Sequence, residues 1–319
     1  MLKNCSIDID DIYRAELIYG PPPPILQGKM VNPKQVSKKV RFIPLPLDIA
    51  NEYRSVSVSI DIFYVNRTPF LVCHGAPINH LAVYKIKNRT KLTISRKLQN
   101  IKDKYSARGF EINVVFCDNE FDHESIRSVF PNTIFDVCGA GEHVPVVERA
   151  IRTIKERTRC LCKSVPFNRY TNLMSVHAVL TAVRWINQFP SKGGISDQLS
   201  PSKILEGIDD PDMNIKRISF GTYALVYSGT DNRMNERSVP CIALSQSNFT
   251  GGNFFMSLDT GKRVHGHSWK ELPIDDNIIK LVDQWCEKEK QSILIKGNLV
   301  YNYDLSTVSD FEEVEEVEN

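Results

Sequence analysis

The stretch SVSVSIDIFYV, residues 55–65, alternates strictly between polar and apolar side chains from Ser55 to Ile62. A period of two residues is typical of a β-strand, because successive side chains of a strand point to opposite faces. The pattern therefore predicts a strand with one apolar and one polar face. Asp61 lies on the polar face.

The segments that follow extend this strand into a sheet. PFLVCHG (69–75) and HLAVYKI (80–86) predict a second and a third strand, which gives an antiparallel meander. KLTISRKLQNIKDKYSARG (91–109) has the apolar spacing of a helix and ends at a glycine. FEINVVFCD (110–118) is an almost continuous apolar run, typical of a central strand covered on both faces, and it ends in Asp118.

The order of elements indicates the fold class. A short helix near 123–129, a strand near Ile134 and two helices that end near Phe189 complete the order β-β-β-α-β-α-β-α-α. This order is that of the ribonuclease-H-like α/β fold, a mixed five-stranded sheet flanked by helices. The strands that carry Asp61 and Asp118 are neighbours in that topology, so we expect the two carboxylates to converge.

The first of those two helices lies within GEHVPVVERAIRTIKERTR, residues 141–159. At about 100° per residue, two neighbouring stripes form. The apolar stripe comprises Val147, Ile151, Ile154, Thr158 and Leu161. The charged stripe comprises Glu148 and three bases, Arg152, Lys155 and Arg159, which we call the basic rail.

The residues of this helix allow two interpretations. The charged stripe can be a solvated face on which Glu148 pairs with Arg152 four positions on. It can also be a carboxylate at the head of a basic surface, suited to holding a metal ion against a phosphate backbone. Asp61, Asp118 and Glu148 together, which we call the carboxylate triad, would supply the hard oxygen ligands that Mg²⁺ prefers.

The chain changes character after Phe220. TYALVYS (222–228), VPCIALS (239–245), NFFMSLD (253–259) and KRVHGHSWKELP (262–273) predict four short strands in a small β-barrel or sandwich packed beside the core. A last helix is predicted at 278–290. We expect a chain truncated after Ile215 to leave a folded core.

The ends of the chain differ in charge. DIDDIYRAELIYG (8–20) predicts a helix, PPPP (21–24) an extended connection, and the basic segment up to Pro46 a linker or arm. Residues 310–318 contain six acids and no base, which is typical of a disordered tail. The expected units are therefore an N-terminal helix and linker (1–50), a core (51–215), a β-rich unit (216–275), and a helix with an acidic tail (276–319).

Composition indicates the kind of partner and the cellular compartment to expect for the protein. A net charge of +2 over 319 residues identifies no partner, but basic blocks such as 145–170 are typical of contact with an anionic polymer. We expect a chain without a secretory leader, and its eight cysteines indicate a reducing compartment, nuclear or cytoplasmic. No C-x-x-C pair is present, so no zinc site is expected.

Three stretches of the sequence resemble a known family. IDIFYVNRTPFLV (60–72), VVFCDNEFD (114–122) and EHVPVVERAIRTIKERTR (142–159) are similar to the catalytic core of the integrase of copia-type LTR retrotransposons, nearest to the branch in diatoms and other algae or protists. The flanking segments 4–29, 201–207 and 259–274 resemble that family as well. The resemblance covers about Asn4 to Val282, in the right order.

The resemblance implies roles for particular residues. Asp61, Asp118 and Glu148 match the family's catalytic triad, which would bind Mg²⁺ or Mn²⁺, with two ions expected. It implies that the nearby Glu120 and Glu142 are not the third ligand. It also implies that the basic rail contacts DNA phosphates, and that the β-rich unit contacts DNA. From the local charges we expect those contacts at its last hairpin, at Lys262, Arg263 and Lys270.

The implied activity is metal-dependent polynucleotidyl transfer, meaning 3′-end processing followed by strand transfer. The implied partner is DNA, bound by a homo-oligomer in the active state, with no membrane and no small-molecule cofactor. Two alternatives remain: an inactive or domesticated fragment that binds DNA, and a ribonuclease-H-like nuclease acting on RNA–DNA hybrids, which would usually carry a fourth acid. No His-His-Cys-Cys zinc module precedes Asp61, so we expect a fragment of a polyprotein.

Other motifs in the β-rich unit have simpler interpretations. Asp259-Thr260-Gly261 resembles the signature of aspartic proteases, but its position between two predicted strands favours a hairpin turn. His265 and His267 are expected at the surface. Trp269 is expected to pack in a core.

Overall fold

A computed structural model describes residues 8–20, 22–30, 43–138, 145–207, 218–229, 235–247 and 252–291. Its helices are α1 (Ile9–Tyr19), α2 (Pro23–Lys29), α3 (Leu47–Glu52), α4 (Lys91–Ala107), α5 (Glu124–Arg127), α6 (Pro145–Lys163), α7 (Asn172–Asn187), α8 (Pro201–Glu206) and α9 (Asp276–Lys288). Its strands are β1 (Ser55–Val65), β2 (Thr68–Ala76), β3 (His80–Lys85), β4 (Glu111–Asp118), β5 (Ile134–Cys138), β6 (Tyr223–Tyr227), β7 (Ser238–Gln246), β8 (Asn253–Ser257), β9 (Arg263–Gly266) and β10 (Trp269–Glu271).

The first sheet has five strands in the order β3-β2-β1-β4-β5. β1, β2 and β3 form the predicted antiparallel meander, whereas β4 runs parallel to β1 and β5 runs parallel to β4. This is the mixed sheet of a ribonuclease-H-like fold, and it confirms the fold class predicted from the order of elements. β1 lies at the centre, with β4 as its parallel neighbour.

Both faces of β1 are covered. Phe63 and Val65 pack into an apolar cluster with α6 and α7, whereas Val58 and Ile60 pack into a second cluster with α4 on the other side. The face that the sequence marks as polar is therefore not a solvent face, and Ser59 on it is 5% exposed. A small serine costs little apolar contact there, and it lets the helices lie close to the sheet.

α6 is the helix that brings Glu148 to the sheet. Its buried positions are Val147, Ala150, Ile154, Thr158 and Cys162. The predicted stripe is confirmed at three of these, while Ile151 and Leu161 are only half-buried. α6 packs against β1, β2 and α7 at once, so its buried stripe faces the groove between the sheet and α7.

The predicted β-rich unit is an antiparallel sheet with the order β10-β6-β7-β8-β9. The expected fourth strand is divided in two, because His267 and Ser268 separate β9 from β10, which lie at opposite edges of the sheet. A connection this short requires the two edges to approach each other, so the sheet must curl. The Asp259-Thr260-Gly261 turn joins β8 to β9, and Ser257 N donates to Lys262 O at 3.0 Å, which agrees with the predicted hairpin.

The β-rich unit and the core share one interior. Ile242 of β7, Met256 of β8 and Val282 of α9 belong to the same buried cluster as Val72 of β2 and Val179 of α7. Two polar contacts reinforce this packing. His177 Nδ1 lies 2.7 Å from Ser245 Oγ, and Arg184 Nη1 donates to Gln246 O at 3.0 Å.

The N-terminal region differs from the sequence prediction in one respect. The expected helix is present as α1, and Gly20 ends it with a φ of 75°. The prolines at 23 and 24, however, begin a second helix, α2, instead of an extended connection. Proline is compatible with the first turn of a helix, because the amide that it lacks has no partner there. α2 then docks on the β-rich unit, where Arg237 N donates to Gln27 O at 2.8 Å.

Within the described part of the chain, no helix is long and apolar enough to cross a membrane.

Candidate functional site

Two carboxylates of the predicted triad stand on neighbouring parallel strands. The register of β1 and β4 pairs Ser59 with Phe116, and Asp61 and Asp118 each follow two residues later. Residues two apart on a strand point to the same face. The two carboxylates are therefore on the face that α6 and α7 cover, with Asp118 as the last residue of β4 and Asp61 just beyond the part of β1 that pairs with β4.

Asp61 lies in an unfavourable environment for a charged carboxylate. Burial and, to a smaller extent, the negative charges of Asp118, Glu120 and Glu148 together raise its pKa to about 6, while a hydrogen bond from Ile62 N at 2.6 Å opposes the shift. This environment shows that all three other carboxylates act on Asp61. A bound cation would relieve both the burial and the repulsion.

Glu148 reaches this environment from the first turn of α6, on the solvent-exposed side of the helix. Among the residues that the structure describes, no group of three or more His, Cys, Asp or Glu side chains is placed to hold a metal ion. The triad thus shares an electrostatic environment without forming a closed ligand cage. Like charges repel, so drawing three carboxylates together is favoured when one of them is protonated or when a cation is bound.

Glu120 is the fourth acid that acts on Asp61. It lies in the single 3₁₀ turn Asn119–Phe121 that follows β4, and Arg89 binds its carboxylate, with Nε to Oε1 at 2.8 Å and a second contact from Nη2 to Oε2. Lys91 Nζ donates to the backbone oxygen of Glu120. The acid is therefore held by Arg89, which precedes α4, and its backbone by Lys91, the first residue of α4. Glu142 lies outside the described residues.

The predicted basic rail follows α6 away from Glu148. Arg152 is exposed, and Lys155 and Arg159 are half-buried. Burial lowers the pKa of Lys155 and the neighbouring charge of Arg159 lowers it further, whereas Asp61 raises it. Lys155 is thus close enough to interact electrostatically with the triad and with the rest of the rail.

The three bases predicted in the β-rich unit do not share a hairpin. Lys262 and Arg263 lie at the start of β9, which pairs with β8, while Lys270 is in β10, which pairs with β6. Placing all three at one hairpin was wrong, because β9 and β10 do not pair with each other. Arg263 stacks over the ring of Phe254 at 4.8 Å.

Trp269 is buried in the core of this sheet, and His265 and His267 are exposed, with ring centroids 4.6 Å apart.

Comparisons with known proteins show a likeness to solved structures. No protein-family model and no curated protein matches the chain. Among solved structures, the chain is similar to the catalytic core domain of BIV integrase, with 17% sequence identity and a TM-score of 0.35. The match covers 47% of this chain and 93% of that one. The fold assignment above rests on the strand order and register of the chain itself.

Sequence reasoning missed the bases next to the triad. Arg89 and Lys91 bind Glu120, and they continue an alternating series that begins with Lys85 and Lys87. The alternation K-x-K-x-R-x-K over residues 85–91 was visible in the sequence. Its importance depends on the sheet topology, which places the end of β3 near the ends of β1 and β4.

Proposed function

We propose that this chain is the core of a retroelement integrase, a metal-dependent polynucleotidyl transferase that processes 3′ DNA ends and joins them to target DNA. The observation that carries the proposal is the common environment of Asp61, Asp118 and Glu148, contributed by two adjacent parallel strands and the head of a helix. The sequence resemblance to copia-type integrases, over about 4–282, supports the assignment of lineage.

The carboxylate triad would hold the divalent metal. Its donors are hard oxygens, which suit Mg²⁺ or Mn²⁺, and the raised pKa of Asp61 reflects burial together with the negative charges of the neighbouring carboxylates, which a cation would offset. When bound, such ions activate an attacking oxygen and stabilise the leaving one.

The chain's own bases would position the substrate. The exposed Arg152 and the half-buried Lys155 and Arg159 follow Glu148 along α6, so a phosphate backbone lying along the rail would bring a phosphodiester to the triad. Contacts to phosphate carry no sequence information, so we expect little preference for target sequence. Lys262, Arg263 and Lys270 would add contacts at two separate places on the β-rich unit. The active form is proposed to be a homo-oligomer that works inside the cell.

One observation favours a second candidate function. Ribonuclease-H-like nucleases that cut RNA–DNA hybrids usually carry a fourth acid, and Glu120 acts on Asp61. Arg89 holds that carboxylate on the side of α4, which favours a structural role for Glu120 over metal binding. A hybrid substrate in the same experiment distinguishes the two functions.

The test compares the full chain with two matched variants of α6. Purified protein would be incubated with Mg²⁺ or Mn²⁺, a duplex ending in the element's terminal repeat, and a target plasmid. The wild type is expected to shorten the 3′ end and join it to the plasmid. Glu148→Gln is expected to lose both steps, whereas Glu156→Gln, the same change at an exposed position of the same helix, is expected to retain them.

Equal activity in the two variants would contradict the role of Glu148. Cleavage of the RNA–DNA hybrid without strand transfer would favour the nuclease. A wild type that binds DNA without any metal-dependent cleavage would favour the inactive, DNA-binding alternative.

A further inference from the structure

Four bases alternate along the segment that joins β3 to α4. They are Lys85, Lys87, Arg89 and Lys91, and we call them the 85–91 strip. Lys85 and Lys87 are exposed, while Arg89 and Lys91 are half-buried and bind Glu120. One end of the strip is therefore fixed at Glu120, whose charge acts on Asp61 of the triad.

The backbone of this segment is held in place at three points. Ile86 is 1% exposed, and its N donates to Pro69 O at 3.1 Å, so the lysines on either side of it are directed outward. Asn88 Oδ1 accepts hydrogen bonds from the hydroxyls of Thr90 and Thr93 at 2.9 and 2.8 Å. Thr90 in turn caps the N-terminus of α4. The strip is thus presented on a rigid support.

The sheet places Lys85 at the same end and on the same face as the triad. β3 is antiparallel to β2, which is antiparallel to β1, so β3 runs parallel to β1. The register aligns Asp61 with Val72 and Val83, and Lys85 follows Val83 by two residues. Side chains two residues apart share a face.

The strip continues toward the β-rich unit. Burial, followed by the positive charges of Arg263 and Lys85, lowers the pKa of His177 to about 3. The ring of His177 also lies against Phe254, with centroids 5.7 Å apart, and Arg263 stacks over the same Phe254 ring, so His177 is close to this base of β9. Burial raises the pKa of Glu289, and the nearby charge of Lys85 is one of the influences that oppose this shift, so one negative group borders the strip.

We propose that the 85–91 strip is a DNA-binding surface, separate from the basic rail of α6, that carries a phosphate backbone from the triad across the end of β3 to Arg263 of the β-rich unit. The proposal rests on the proposed function and deepens it, because joining two DNA molecules requires that both phosphate backbones reach the same carboxylates. The basic rail would bind one backbone, and the 85–91 strip would bind the other. We expect this contact to be independent of DNA sequence, because the positively charged side chains of the strip would contact phosphates and not the nucleobases.

The test measures binding without chemistry. In the Glu148→Gln background, the affinity of the full chain for a labelled 20-base-pair duplex of arbitrary sequence would be measured at several salt concentrations. Lys85→Gln with Lys87→Gln is expected to reduce the steepness of log K against log salt by about 1.8, or about 0.9 for each lost phosphate contact.

A matched control removes two exposed lysines elsewhere. Lys192 follows Ser191, which binds Asn79 at the opposite end of β3, and Lys280 lies on α9. Lys192→Gln with Lys280→Gln is expected to leave the salt dependence unchanged.

Equal effects of the two double variants on the salt dependence would overturn the proposal that the 85–91 strip binds DNA, because the change in net charge alone would then explain the reduced salt dependence. If the parent chain binds DNA and Lys85→Gln with Lys87→Gln leaves the salt dependence unchanged, the proposed role of the strip is overturned and the proposed function is not affected. A parent chain that does not bind the duplex at all would overturn both.

Discussion

The side-chain amide of Asn187 binds both backbone hydrogen-bonding groups of Leu81. Leu81 N donates to Asn187 Oδ1 at 2.9 Å, and Asn187 Nδ2 donates to Leu81 O at 2.8 Å. Leu81 is in β3, one of the two edge strands of the core sheet. The last residue of α7 thus replaces the neighbouring strand that an edge strand lacks.

Asn187→Ala is expected to lower the free energy of unfolding by about 2–4 kcal/mol, because it leaves a buried N–H and a buried C=O without partners. The measurement is urea unfolding monitored by circular dichroism. Asn113→Ala, which removes an exposed hydrogen bond to Ser55, is the control and is expected to cost less than about 0.5 kcal/mol. Similar losses in both variants would show that Asn187 does not have this role.

Gly75 allows β2 to lie against the ring of Tyr105. A Cβ at this position would lie 1.8 Å from the Tyr105 hydroxyl oxygen and 2.8 Å from Cζ, and Tyr105 is 1% exposed. Gly75→Ala is therefore expected to lower the melting temperature sharply, since the ring has no room to move. Adding Tyr105→Phe removes the closest atom and should recover part of the loss. If the double variant were no more stable than Gly75→Ala, the clash would lie elsewhere.

His80 is expected to make the fold sensitive to acid. Burial, followed by the charges of Lys104 and His74, lowers its pKa from 6.5 to about 3, and neither ring nitrogen has a hydrogen-bond partner among the residues that the structure describes. Between those values the unfolded chain binds a proton that the folded chain does not. Stability should therefore fall as the pH falls below 6.5, by about 1.4 kcal/mol per pH unit for one proton.

The check is to measure the free energy of unfolding at pH 6.5, 5.5 and 4.5. His80→Leu, which places a side chain of similar size in the apolar site, should reduce the pH dependence by one proton. The exposed His267→Gln is the control and should leave the dependence unchanged. An unaltered slope in His80→Leu would assign the acid sensitivity to another group, such as the buried His177.

The shared interior changes the expectation that a core truncated after Ile215 folds by itself. Such a chain lacks Leu225, Ile242, Met256 and Val282, which pack with α6 and α7 in one cluster. Truncation is expected to expose this apolar face and give an aggregated or molten product. A soluble truncated chain that unfolds cooperatively would restore the original expectation.

The sequence was informative where the signal is local. The alternation in residues 55–62 predicted β1, the apolar run before Asp118 predicted β4, and the spacing in 145–159 predicted α6. The order of elements then supplied the adjacency of β1 and β4, because few topologies accommodate that order. The elements that carry Asp61, Asp118 and Glu148 could therefore be predicted from local signals, whereas the choice of these three carboxylates came from the resemblance to the integrase family.

The contacts that surround the triad could not be predicted in this way. Arg89 and Glu120 are 31 positions apart, and their pairing depends on how the turn after β4 meets the segment before α4. The two prolines that begin α2 suit either an extended chain or a first helical turn, so local rules do not distinguish these cases. The separation of β9 from β10 depends on which strands pair, and the strand pattern alone does not specify this.

The single interior shared by α7, β7, β8 and α9 has a consequence for synthesis on the ribosome. α7 ends at Asn187, whereas Cys286 of α9 completes the cluster. At about 5–20 residues per second, the intervening 99 residues take about 5–20 s to translate. During that interval the α6–α7 face of the nascent chain lacks its covering. We expect this period to be when the newly made protein depends most on chaperones.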